Sequence, residues 1–182
     1  MVNRRQLLAL GATGKAVKAA LRSGRLLSDS EYRGVYAVGR LATTIEATFM
    51  AAVLSGAEDS TLSAASAAAN WALLPHRSHD PVHISSVSWR APTPTRVVHE
   101  LRRPLDLADR CYRNHVPTTT VPRLILDTAE ITPTDLETVL NEAHYRYALS
   151  LWTIEQAARR APGRHALKPI RRLLAAYDDG TT

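Results

Sequence analysis

Apolar and polar positions in the first forty residues recur at two different periods. Leu7, Leu8 and Leu10 follow Asn3, whose side chain suits the start of a helix, and Gly11 supplies a stop. This predicts a short helix over residues 4–10. Thr13 opens a second helix that runs to about residue 23, where Gly24 favours a left-handed ending. At about 100° per residue, Val17, Ala20 and Leu21 fall on one side of that helix, and Lys15, Lys18 and Arg22 on the other. The period then shortens. Residues 25–27 and 32–39 read as two strands around the polar stretch 28–31, forming a β-hairpin. Two short helices about three residues apart, followed by a hairpin, are the elements of a winged helix-turn-helix.

From residue 43 the pattern changes. Thr43 or Thr44 caps a helix to about residue 54, which Gly56 to Asp59 break; an alanine-rich helix spans 62–74 and ends before Pro75. Residues 82–87 and 95–101 read as strands separated by a loop containing Pro92 and Pro94, and a third extended piece covers 116–120. Helices follow over 121–130, 134–147, 150–160 and 168–177, with breaks at Pro133 and at Pro162-Gly163. The expected fold is therefore α+β. A winged helix over residues 1–40 precedes a mixed domain over 41–182, in which a small sheet is flanked by helices.

Charge sharpens this picture. The net charge is +6, and residues 1–40 hold eight lysines and arginines against Asp29 and Glu31, leaving 15 cations and 15 acids in the rest. The entire excess sits in the first fifth of the chain, which implies an anionic partner there, nucleic acid being the commonest. No apolar run approaches the roughly 18–20 residues that cross a bilayer, and Arg4-Arg5 are followed by no signal-peptide core, so a cytoplasmic location without membrane contact is expected. The single cysteine, Cys111, excludes an internal disulfide and any multi-cysteine zinc site.

Catalytic chemistry finds little material. His76, His79 and His83 lie within eight residues, but no fourth ligand group accompanies them and Pro81 interrupts the run, so they read as loop histidines and no metal is expected. With eight glycines the chain contains no nucleophile elbow, phosphate-cradling loop or dinucleotide fingerprint, so no cofactor is expected either. Acid pairs occur at Asp106 with Asp109, Asp127 with Glu130, and Glu137 with Glu142. None precedes a lysine by two residues, as a restriction-type nuclease would want, because the only lysines are Lys15, Lys18 and Lys168. The expectation is a protein that is not an enzyme.

Several strings carry a family resemblance. Residues 6–11 (QLLALG), 23–26 (SGRL) and 33–39 (RGVYAVG) resemble the N-terminal winged helix of AbiEi-family antitoxins, bacterial transcriptional regulators of type IV toxin–antitoxin systems. The likeness continues through residues 62–73 (LSAASAAANWAL) and 118–127 (TTTVPRLILD), and so spans most of the chain in order. The resemblance implies an autorepressing antitoxin that binds the operator of its own operon. It further implies antagonism of a nucleotidyltransferase-like toxin without a stable complex. Many relatives continue into a Vsr-like nuclease domain, and this sequence ends near Asp178-Asp179-Gly180, about where that domain would begin. Ala64 stands where the family pattern has a histidine, which bears on antitoxicity and not on DNA binding.

These readings converge on double-stranded DNA as the partner. The second helix enters the major groove with Lys15, Lys18 and Arg22 outward, while Arg4, Arg5, Arg25 and Arg33 lie near phosphates and the hairpin touches the adjacent backbone or minor groove. An inverted-repeat operator would match a homodimer. Two other classes compete: an interaction module that keeps a winged helix as scaffold, and a fragment of a nucleic-acid-processing protein whose nuclease domain is absent. The first leaves the concentrated charge without a purpose, and the missing acid-x-lysine arrangement argues against metal-dependent cleavage.

Overall fold

The structure, a computed structural model, describes residues 1–29, 31–41, 43–77, 79–88, 96–101, 105–161 and 166–178. It is α+β and holds two sheets among the described residues. The chain opens with a two-residue strand, β1 (Val2–Asn3), then α1 (Arg4–Ala9), α2 (Gly14–Arg22), β2 (Leu26–Ser28) and β3 (Val35–Val38). These strands form one antiparallel sheet in the order β1-β3-β2. The helix starts follow from their caps. Asn3 accepts from the Gln6 amide while the Gln6 side chain accepts from the Asn3 amide, a reciprocal capping box, and Thr13 accepts from the Ala16 amide. Val17, Leu26 and Tyr36 make a small buried cluster, flanked by Val2, Leu7, Ala20 and Leu21.

That cluster is too small to stand alone, and the chain resolves this by sharing its main core. Helix α3 (Ile45–Ser55) packs against β1 and β3 on one side and against the second sheet on the other. The Asn3 side-chain amide donates to Leu54 O at 3.0 Å. Tyr32 and Val35, from the hairpin, are buried in the same cluster as Phe49, Leu62, Ile84 and Leu124. Glu31 pairs with Arg96 at 3.1 Å.

The second sheet comprises β4 (Thr61–Leu62), β5 (Val82–Ser86), β6 (Val97–Leu101), β7 (Arg110–Arg113) and β8 (Val116–Thr119), in the order β6-β5-β4-β8-β7. The pairs β5–β6 and β4–β8 are parallel, the other two antiparallel. Helix α4 (Ala64–Asn70) follows β4. Helix α5 (Val121–Ile131) packs against α4 and against α6 (Leu136–Tyr147), α7 (Leu151–Arg160) and α8 (Leu167–Asp178). The expected breaks at Pro92, Pro94, Pro162 and Gly163 lie outside the described residues, as do Thr95 and Asp179-Gly180.

Two expectations are corrected. The helix expected over 62–74 begins only at Ala64, because Thr61 and Leu62 form the central strand, with Leu62 paired to both Ile84 and Thr118. It ends at Asn70, with Trp71 as its cap and Ala72 left-handed (φ 59°). Strand β7 had no counterpart among the expected elements. Asn114 and His115, at φ 51° and 63°, turn it tightly onto β8 as a two-residue hairpin with both central residues left-handed requires.

Charges in the interior are neutralised in pairs. Asp109 is fully buried and accepts from Arg123 at 3.4 Å and from Arg160 Nε at 2.9 Å, while Arg123 Nε also reaches Asp127 at 3.2 Å. This network ties the approach to β7 to α5 and α7. Removing Asp109 takes the shared acid from both guanidiniums, the kind of loss that costs about 3–5 kcal/mol.

The hairpin anchor gives a stability prediction. Burial, and secondarily Glu31, push the Tyr32 phenol up to about 12, and its hydroxyl has no hydrogen-bond partner among the described residues. In the unfolded chain the phenol ionises near its ordinary value of 10.0. As pH rises from about 10 to 12 the unfolded state therefore sheds this proton first, and stability falls. Tyr32→Phe is expected to raise the urea midpoint at neutral pH, because burying an unpaired hydroxyl costs about 1–3 kcal/mol. The variant should also lose less stability than wild type across that alkaline window. A midpoint at or below that of wild type would contradict the anchor as described.

Candidate nucleic-acid interface

Helix α2 is built to show one face and bury the other. Its two flanking glycines, Gly11 (φ 88°) and Gly24 (φ 71°), adopt left-handed backbone that admits the sharp turns at either side. Val17 is buried, with Ala20 and Leu21 half-buried beside it, and these seat the helix on Leu26 and Tyr36. Lys15, Lys18 and Arg22 are exposed on the opposite side, together with Ala16. The inner stripe fixes the rotation of the helix, so the outward direction of these cations is set by packing.

The other candidate residues divide by position. Arg4, at the start of α1, is exposed. Its amide donates to Gly34 O at 2.9 Å, and its guanidinium lies 3.4 Å from where a Cβ on Gly14 would be. Arg33 is exposed beside it in the hairpin turn. At the far end of α2, Arg25 is exposed, and its Nε donates to Ser23 Oγ at 3.1 Å. Arg5 differs from the rest: it is half-buried and turns toward the body, reaching Glu58 at 4.0 Å. Lys15, Lys18, Arg22, Arg25 and Arg33 have no acidic partner among the described residues. In the body Arg96, Arg123, Arg146, Arg160 and Arg171 each pair with a carboxylate, while the exposed Arg77, Arg159, Lys168 and Arg172, like the cations of α2, have no acidic partner among the described residues.

The hairpin turn is not a free projection. Asp29 Oδ1 accepts from the Glu31 and Tyr32 amides at 2.8 and 3.0 Å, Tyr32 is buried in the main core, and Glu31 is held by Arg96. Within residues 29–34, Arg33 is the described side chain left facing outward. The cation that sequence reasoning left out of the set is Arg40. It is exposed just past β3, and the preceding Gly39 amide donates to Arg25 O at 3.1 Å, which places it beside the end of α2. The available signal was its adjacency to Gly39 at the close of a strand that must pair with residues 26–28.

The remaining chemical candidates separate in space. Among the described residues no three histidine, cysteine, aspartate or glutamate side chains converge around a position for one metal ion. His76 lies edge-on to Phe49 with ring centroids 4.9 Å apart, while His83 is buried in β5. Cys111 is half-buried on β7, its thiol pushed up by burial and donating to Thr118 O at 3.6 Å. Asp127 is taken up by Arg123, and Glu142 by Arg146 at 2.6 Å. An open groove of about 590 Å³ lies along β7 and the turn before β4, lined by Glu58, Arg110, Tyr112 and Pro117 among others. Arg110 there is committed to Asp59 O and Thr61 Oγ1. Among the described residues no helix is long and apolar enough to cross a membrane. No family model and no curated protein matches the chain.

The half-buried His76 and the buried His83 predict an acid-sensitive fold. Burial holds both His76 and His83 below their ordinary value of 6.5, so the folded state favours the neutral rings. Below that value the unfolded chain takes up protons first, and stability falls as pH drops. The urea midpoint should decline between pH 7 and pH 5, and His83→Gln should flatten part of that decline. A wild-type midpoint that holds constant across this range would contradict it.

Proposed function

We propose that this protein is a DNA-binding transcriptional regulator in the cytoplasm, reading duplex DNA through α2 in the manner of a winged helix-turn-helix. The observation that carries this reading is the exposed face of α2, where Lys15, Lys18 and Arg22 stand without acidic partners among the described residues, on a helix anchored from behind by Val17. Cations paired with carboxylates have little left to offer a phosphate. Unpaired ones release counterions when they meet DNA, which drives association. The strand order β1-β3-β2, with both helices inserted between β1 and β2, supports the same reading because it sets the helix pair against a hairpin.

The resemblance to AbiEi-family antitoxins supports a narrower version. In it the protein represses its own operon and counters a nucleotidyltransferase-like toxin without a stable complex. The body then serves to hold the reading helix, to act against the toxin, or to pair two copies on an inverted repeat. A co-directional nucleotidyltransferase gene downstream is the expected genomic context. The reading assigns the protein no catalytic step.

Fluorescence anisotropy with DNA from directly upstream of the gene, titrated beside a scrambled duplex at several salt concentrations, tests the proposal. Tighter binding to the upstream duplex is expected, with a log–log salt slope near about −4.5 if about five phosphates are neutralised. Lys18→Glu should weaken binding at least tenfold at an unchanged urea midpoint, since the side chain is exposed. Equal affinity for both duplexes would reduce the function to nonspecific attachment, and absence of binding to either would remove it.

A further inference from the structure

The cations around α2 fall into two groups, one at each end of the helix. Arg4, Lys15 and Arg33 gather about its first residue, through the approach of Arg4 to Gly14 and the bond from the Arg4 amide to Gly34 O. Arg22, Arg25 and Arg40 gather about its last, through the bond from Arg25 to Ser23 Oγ and that from the Gly39 amide to Arg25 O. The first and last residues of α2, Gly14 and Arg22, are separated by about 12 Å at the helical rise of 1.5 Å per residue. A helix laid in the roughly 12 Å wide major groove has a phosphate strand on either side, within reach of long side chains from its ends.

The two ends differ electrically. Asp29 and Glu31 sit in the hairpin turn near the first group, whereas residues 14–28 and 35–45 contain no acid at all. Both groups have an open approach, since a Cβ at Gly11 or Gly34, near the first, would meet nothing within 4 Å. Gly24 and Gly39 flank Arg25 and Arg40, and a Cβ at either would meet nothing within 4 Å. Favourable interaction with the helix dipole accounts for cations in the last turn of a helix. It accounts for Arg22 and leaves Arg40 unexplained, because Arg40 lies outside the helix, is exposed, and has no acidic partner among the described residues.

We infer that the two groups contact phosphates on the two opposite strands bordering one major groove, and that Arg40 belongs to the second of these phosphate sites. The inference rests on the DNA-binding reading above and divides its cations by task. Arg4, Lys15 and Arg33 hold one strand, and Arg22, Arg25 and Arg40 the other. Lys18, midway along α2 beside the small Ala19, is left nearest the base edges. Contacts to phosphate set affinity and register without reading sequence, while contacts to base edges discriminate.

The test uses the full chain and the upstream duplex carrying a single neutral methylphosphonate at each successive position of each strand. Wild type, Arg40→Ala and Arg33→Ala are compared, with urea midpoints confirming that the variants fold. Arg40→Ala is expected to reduce the steepness of the salt slope by about 0.9. It should weaken upstream and scrambled duplexes by the same factor, and lose its sensitivity to neutral phosphates on one strand only. Arg33→Ala should lose sensitivity on the opposite strand. A salt slope and interference pattern for Arg40→Ala identical to wild type would overturn the second site, as would loss of sensitivity on the same strand in both variants. Those results leave the regulatory reading standing, whereas a wild type that binds no duplex overturns both.

Discussion

The arrangement of this molecule depends on a constraint of size: forty residues cannot bury enough apolar surface to hold their own fold. Among the described residues the N-terminal unit's own buried cluster is Val17, Leu26 and Tyr36, and the unit places two others, Tyr32 and Val35, in the core of the body. Helix α3 is the shared wall. It receives the Asn3 amide at Leu54 O on one side and supports the second sheet on the other. The direction of α2 is therefore fixed relative to the whole protein, through packing that begins with the side chain of the third residue. Asn3 does two jobs in this, since the same side chain caps α1.

Buried charge and exposed charge are handled differently. Inside the body, the cost of removing Asp109 from water is offset by two guanidiniums, and that of Asp127 by one of the same pair. On α2 the cations remain in water and lack acidic partners among the described residues. The body is neutral by composition, and part of that balance is spent in specific pairs. Exposed cations contribute little to holding the fold together. Stability therefore does not account for their concentration on one anchored helix.

Much of the secondary structure was legible because its signals are local. Asn3, Thr13, Thr44 and Ser150 each accept from the first turn of the helix they precede, and Gly11 and Gly24 end turns that need positive φ. The division of α2 into inner and outer faces is a matter of spacing alone, and it was readable for the same reason. What stayed hidden is set by distant partners. Thr61–Leu62 is too short and too close to an alanine run to announce itself as a strand, and only Ile84 and Thr118 make it one. Strand β7 carries two arginines and an exposed tyrosine, so it shows no buried alternation. The docking of the hairpin turn through Tyr32 needed Arg96 and the core around Phe49. The grouping of Arg40 with Arg25 needed the pairing of β2 with β3.

The position of β4 has a consequence for the order in which the protein matures. This strand sits at the centre of the second sheet, and one of its neighbours, β8, lies more than fifty residues further along the chain. Contacts of such long sequence separation form late, because the intervening loop must close before they bring any gain. Helix α3 rests on both β4 and β8, and the N-terminal unit rests on α3. During synthesis the segment carrying α2 leaves the ribosome first, yet its support is complete only after residue 119 has followed. The part of the chain made earliest thus waits on residues made much later before its packing against the body is complete.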